Sequence, residues 1–208
     1  MTLTLEDKKT VPKKYYSLEG FFAWTHENAQ SDTQYELING EIVERNASGP
    51  DGPSGKHGEV IARLTSALVV FVESNDLGRV FSTAPCLLPE QLQETDKGKK
   101  KRASYLIPDI AFYTKGRIPN KFVGAIPAVP DLVVEINSPS DDGEHIRAKI
   151  ELYQKAGVRL IWSIYMMEEF VVIYRLGEPD KKFLNLKDDL DGEDLLPSFA
   201  VSVARLLG

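Results

Sequence analysis

Pro130-Asp131-Leu132-Val133-Val134-Glu135-Ile136-Asn137 sets a carboxylate, Glu135, deep in an aliphatic, β-branched run. Bounded by a proline and by Ser138-Pro139, the run reads as a buried strand over about 131–137. A carboxylate there loses its hydration and needs compensation. A cation, a retained proton or a metal ion can supply it. A second run, Leu106-Ile107-Pro108-Asp109-Ile110-Ala111-Phe112, reads as part of a strand over about 105–113 and carries Asp109. After Glu135 the sequence predicts a helix from about Asp141 to Ala156, with Ser140 as N-cap and Gly157 as terminator. Lys149 lies on that helix, three residues after Ile146 and four before Tyr153, so it flanks the apolar stripe.

Side chains alternate across a strand. Val133, Glu135 and Asn137 therefore share one face, and Asp109 shares a face with Ala111 and Tyr113. If the two strands are neighbours in register, Asp109 and Glu135 come within reach of a single cation. The backbone carbonyl of Ile136 would add a further oxygen ligand. Mg²⁺ asks for oxygen ligands, often one or two carboxylates plus waters and substrate oxygens. Lys149 could then orient an attacking water or offset charge on phosphorus. Plainer readings stand beside these. Asp109 can cap a turn after Pro108, Glu135 can pair with a lysine or arginine, and Lys149 can lay its stem over the core with its ammonium in water.

The rest of the chain frames this centre. Leu18 to about His26 reads as a short helix capped by Ser17, and Tyr35 to Glu44 as a hairpin turning at Asn39-Gly40. Residues 46–56 form a Gly/Pro-rich loop, followed by a helix from about His57 to Ser74 striped by Val60, Ile61, Leu64, Leu68, Phe71 and Val72. Arg79–Thr83 and Cys86–Pro89 read as strands, and the polar segment 91–102 as a mobile connection. Leu160–Tyr165 and Phe170–Arg175 read as a strand pair. No stretch approaches the roughly 18 apolar residues of a membrane span. The N-terminus lacks a hydrophobic signal core, and the lone Cys86 forms no internal disulfide, so a reducing cytoplasm is expected. A net charge of −6 argues against a DNA-coating protein but not against a nuclease, whose acidic site recruits cations. His26, His57 and His145 show no zinc-ligand spacing, and the Gly-rich loop lacks the Gly-Lys-Ser/Thr ending of a nucleotide-binding loop.

These residues, in this order, resemble the PD-(D/E)XK nuclease superfamily, and more closely its bacterial Uma-type family of putative restriction endonucleases, a domain of unknown function. The likeness spans roughly residues 16 to 175. It rests on Tyr35-Glu36-Leu37-Ile38-Asn39-Gly40-Glu41-Ile42, on His57 at a helix start, on Pro108-Asp109-Ile110-Ala111 and on the Glu135 run through Ser140. It continues through Lys149-Ile150-Glu151-Leu152-Tyr153 to Gly157-Val158 and Trp162. The resemblance implies Asp109 and Glu135 as metal ligands. The superfamily's usual lysine position is Asn137 here, so the resemblance moves the lysine to Lys149 on the following helix. Glu36 matches an acidic residue of the early hairpin, and His57 a family histidine. Two positions depart from the family pattern: Tyr165-Met166 replaces an acidic residue and proline, and Leu160 replaces a common Glu.

The expected fold is α/β: a restriction-endonuclease-like core with a mixed, mostly antiparallel sheet flanked by helices, elaborated by the N-terminal helix and hairpin. Expected divisions are a polar arm over 1–14, the nuclease-like domain over 15–176 and an extension over 177–208 packing on it. The expected activity is Mg²⁺- or Mn²⁺-dependent cleavage of nucleic acid, DNA first, by Asp109, Glu135, Lys149 and Glu36, with His57, Asn137 and Tyr153 in support. A homodimer would suit cutting of two strands. The alternatives are a catalytically silent binding or scaffold protein with the same fold, and a metal hydrolase of small phosphoesters.

Overall fold

The computed structural model describes residues 14–28, 33–45, 55–95, 98–138 and 142–208, with 91–95 and 98–100 described as backbone alone. The N-terminal half runs α1 (Leu18–Asn28), β1 (Gln34–Ile38), β2 (Glu41–Arg45), α2 (Gly55–Ser74), β3 (Gly78–Ser82), β4 (Cys86–Thr95) and β5 (Gly98–Leu106). It continues through β6 (Ile110–Thr114), β7 (Leu132–Asn137), α3 (Gly143–Ala156), β8 (Leu160–Tyr165) and β9 (Phe170–Arg175). The chain ends with β10 (Lys182–Leu184), β11 (Asp189–Gly192), β12 (Leu196–Ser202) and α4 (Val203–Leu207). Most of the expected arm, 1–13, and most of the Gly/Pro loop, 46–54, lie outside the described residues.

β7 is buried along its whole length because it is central in a six-stranded sheet ordered β10-β9-β8-β7-β6-β3. Its pairing with β8 is parallel, bridged by α3, and its pairing with β6 is antiparallel. Alternation splits the run between two cores. Leu132, Val134 and Ile136 join Ile110, Phe112, Trp162 and Ile164 against the α2 stripe Val60, Leu64, Leu68 and Val72 and against Phe199, Val203 and Leu206. Val133 and Ile161 join Ile150, Leu152 and Tyr153 of α3, with Ile38, Cys86, Leu88 and Leu106 beyond them. Ordinary apolar burial at roughly 25 cal/mol per Å² thus drives both faces.

The hairpin β1–β2 is one edge of a second, antiparallel sheet ordered β2-β1-β5-β4. Asn39 and Gly40 take φ of 52° and 83°, the two positive angles that a two-residue turn between right-twisted strands requires. Leu37 and Ile42 face Phe21 of α1 and Ala103, while Ile38 faces the α3 core.

Three local expectations change. Within the polar segment 91–102, residues 91–95 end β4 and 98–102 begin β5, the two strands being paired from Cys86↔Leu106 to Thr95↔Gly98. Ladder hydrogen bonds hold a ribbon that has no apolar alternation to announce it. The strand expected over 105–113 is two strands: β5 ends at Leu106 and β6 begins at Ile110. Pro108 has no N–H for a ladder, so the chain crosses there from one sheet to the other. Asp109 therefore stands in the crossing, not within a strand. The cap of α3 is Asp142, whose Oδ1 accepts from the Glu144 N–H at 2.8 Å; the expected cap, Ser140, lies outside the described residues. Gly157 closes α3 at φ 90°, as expected.

Candidate active site

Glu135 occupies the α3 face of β7, level with Ser163 of β8. The crossover helix returns over that face and lowers two groups onto it. Lys149 Nζ donates to Glu135 Oε2 at 2.9 Å, and the Tyr153 hydroxyl donates to Oε1 at 2.7 Å. Four residues separate Lys149 and Tyr153, one helical turn, so both reach the same carboxylate. On its other side Lys149 meets Glu36 Oε1 at 3.0 Å. Glu36 shares a β1 face with Ile38, and its Oε1 also accepts the Ile107 N–H at 2.6 Å. The ammonium is thus clamped between a carboxylate from each sheet.

Asp109 lies one step past the Ile110↔Val134 pair, level with Glu135 in the extrapolated antiparallel register. Its Oδ2 accepts the Ile136 N–H at 2.7 Å. Its Oδ1 accepts from the Arg45 guanidinium and lies 3.4 Å from His57 Nε2. Arg45 is anchored further by Nε to the Ile107 carbonyl at 3.1 Å and by Nη1 to Gln34 Oε1 at 3.2 Å. Asp109, Glu36, Glu135, His57 and Lys149 are each at most 9% exposed, so water can compensate few of these charges and the groups must compensate one another.

The charges are unequal. Burial pushes the Glu135 carboxyl up to about 7, with Lys149 pulling it down and Asp109 and Glu36 pushing it further up. Burial works against the Lys149 ammonium, but Glu135 and Glu36 outweigh it and raise its pKa. Burial also works against ionised Asp109, yet the His57 hydrogen bond, the Arg45 charge and the Ile136 amide hold its pKa below the ordinary carboxylate value. Arg45 is opposed by burial and held charged by Asp109, with Glu135 and Glu36 adding to the effect. Three carboxyl groups, Asp109, Glu135 and Glu36, thus stand with two cationic side chains, Lys149 and Arg45.

Glu135, Lys149, Tyr153 and Glu36 form one group and Asp109, His57 and Arg45 another, joined through Ile107, whose N–H bonds Glu36 and whose carbonyl bonds Arg45. Asn137 belongs to neither: its Nδ2 donates to Ser163 Oγ at 2.8 Å and to the Ile164 carbonyl at 3.2 Å, tying β7 to β8. Sequence reasoning missed Arg45. A signal was present, because the Asn39-Gly40 turn fixes the register Glu36↔Val43 and Gln34↔Arg45, which puts Arg45 on the face of Glu36. Asp131, next to the critical run, is structural: its carboxylate accepts the Thr114 N–H at 2.9 Å and pairs with Arg117.

Among the described residues, no three of His, Cys, Asp and Glu converge as a ready ligand set. The donors on offer are two carboxylates, Asp109 and Glu135, and backbone carbonyls beside them. That all-oxygen set fits Mg²⁺ or Mn²⁺, which take few protein ligands and complete their shell with water.

A family model described as Uma2, putative restriction endonuclease, matches residues 18–204. Among solved structures, the chain is similar to a putative nuclease belonging to DUF820 from Anabaena variabilis. The two are 21% identical, with a TM-score of 0.73 over 92% of this chain and 97% of that one, a likeness of fold. No curated protein matches the chain. No described helix is long and apolar enough to cross a membrane.

Proposed function

Because the chain belongs to the Uma2 family of putative restriction endonucleases, we propose that it hydrolyses nucleic-acid phosphodiesters with Mg²⁺ or Mn²⁺ at the Asp109–Glu135 pair. The observation that carries this reading is the buried Lys149 ammonium, held 2.9 Å from Glu135 and 3.0 Å from Glu36 beside Asp109. Asp109, Glu135 and the Ile136 carbonyl would hold the ion. A divalent ion there supplies polarisation of a phosphoryl oxygen and a bound water of lowered pKa.

The remaining work falls to the protein. Tyr153 fixes one Glu135 oxygen and so sets the direction of the other. Glu36 and Glu135 aim Lys149, whose ammonium orients the attacking water or offsets charge on the phosphoryl oxygens. His57 and the Ile136 amide orient Asp109. Glu135 must be ionised to ligate, so cation affinity rises with pH through about 7. DNA is the proposed substrate and the cytoplasm the proposed place of action. A homodimer would place two such sites for two strands. Residues 177–208 are assigned a supporting role, since Leu190, Leu196, Phe199 and Val203 complete the α2-side core.

One observation favours the silent-scaffold alternative: the Asp109 and Glu135 oxygens already have protein partners, so the cluster can serve as a structural charge network. Cleavage of supercoiled plasmid separates the two. The account expects Mn²⁺-dependent nicking by the wild type, and a loss of at least about a hundredfold in Asp109→Asn and Glu135→Gln, which keep shape and remove charge. Folded wild-type protein that leaves the plasmid intact across Mg²⁺ and Mn²⁺ supports the scaffold. Nicking that survives both substitutions rules out this site.

A further inference from the structure

The proposed chemistry leaves Arg45 without a task, yet its side chain is only 10% exposed and sits on the carboxylate that the chemistry needs. Asp109 has two oxygens. Oδ2 accepts the Ile136 N–H at 2.7 Å, which ties Asp109 to the β7 residue that follows Glu135. A cation that ligates Asp109 through Oδ1, or through both oxygens, meets the Arg45 guanidinium that donates to Oδ1 and His57 Nε2 at 3.4 Å from it. Two positive centres on one oxygen repel each other in a site that water hardly screens.

The other bonds of Arg45 are to neutral acceptors, the Ile107 carbonyl and the Gln34 side chain. Gln34 is exposed, so the guanidinium spans from a buried carboxylate to the protein surface and can move outward. Lys149 is placed differently. Two buried carboxylates hold it, and withdrawing it would strand both.

We infer, on the proposed metal reading, that Arg45 is a displaceable counter-ion: guanidinium and divalent cation occupy Asp109 Oδ1 alternately, and Arg45 swings toward Gln34 when the cation binds. Arg45 is then a positioning residue that keeps Asp109 aligned beside the Ile136 amide until a cation arrives.

Mn²⁺ calorimetry on the full chain tests this. Arg45→Met removes the competitor and should bind Mn²⁺ roughly tenfold tighter or more than the wild type, whereas Arg45→Lys keeps a charge and should stay closer to it. A merely structural arginine predicts the opposite, because its loss would loosen Asp109 and weaken binding. Unchanged or weaker affinity in Arg45→Met overturns the inference while leaving the metal reading intact. Absence of Mn²⁺ binding in both wild type and Arg45→Met removes the metal reading, and this inference with it. Should Arg45→Met fail to fold, the wild type decides through its arginine Nε–H resonances, Arg45 being assigned by its loss in Arg45→Lys. Saturating Mg²⁺ should shift or broaden the Arg45 signal, and a signal unmoved at saturation overturns the inference.

Discussion

Two buried carboxylates, Glu36 and Glu135, depend on Lys149. Removing one partner of a buried pair costs far more than the pair itself is worth. Lys149→Met should lower stability by about 3–5 kcal/mol near pH 8, read by urea unfolding. The loss should shrink at lower pH, where Glu135 takes a proton. The sign for the wild type follows from the same shift. Folding raises the Glu135 pKa from 4.5 to about 7. Its stabilising contribution is complete below 4.5 and is lost as pH rises through 7. Glu135→Gln cannot titrate, so its stability relative to wild type should improve between pH 4.5 and 7; a flat difference over that window would show an ordinary folded-state pKa. Glu135 and Lys149 were legible in the sequence because a charge in an aliphatic run, and a lysine beside a helical stripe, contradict their surroundings. Arg45 was not, since an arginine at the end of an exposed-looking hairpin contradicts nothing. Only its register, set by Asn39-Gly40, gives it away.

At the scale of elements, the β1–β2 hairpin that elaborates the core also reaches the charged cluster. It delivers Glu36 from one strand and Arg45 from the other, and its turn decides whether both arrive. Gly40 has φ 83°, and a Cβ there would meet Arg102 Cδ at 3.1 Å and the Tyr16 carbonyl at 3.3 Å. Gly157 has a similar φ of 90° with nothing near its missing Cβ. Gly157→Ala should therefore cost about 1 kcal/mol from conformation alone, and Gly40→Ala about 2 kcal/mol, from strain plus contact. Mn²⁺ affinity should fall only in Gly40→Ala; equal effects of the two on affinity would separate the hairpin from the site. The helical stripes of α2 and α3 and the aliphatic run of β7 were legible. The β4–β5 ribbon was not, because a polar hairpin is held by backbone pairing without an apolar face. The break at Pro108 was visible as a proline, but its consequence, a crossing between two sheets, is a fact of topology.

At the scale of the molecule, the cluster sits where the two sheets meet. Glu36 and Arg45 come from one sheet, Glu135 from the other, Asp109 from the crossing, Lys149 and Tyr153 from α3 and His57 from α2. No local segment could assemble it, which is why the sequence pointed to the participants but not to the bonds among them. Family membership and the likeness of fold to a DUF820 structure agree with the nuclease-like architecture that the resemblance implied. On the proposed reading, a chain of net charge −6 would need a recruited cation to attract phosphate. Anomalous scattering from a crystal soaked in Mn²⁺ tests that dependence at its source. The account predicts a manganese peak within ligand distance of both the Asp109 and Glu135 carboxylates. Manganese bound elsewhere at full occupancy, with Arg45 still seated on Asp109, would contradict it.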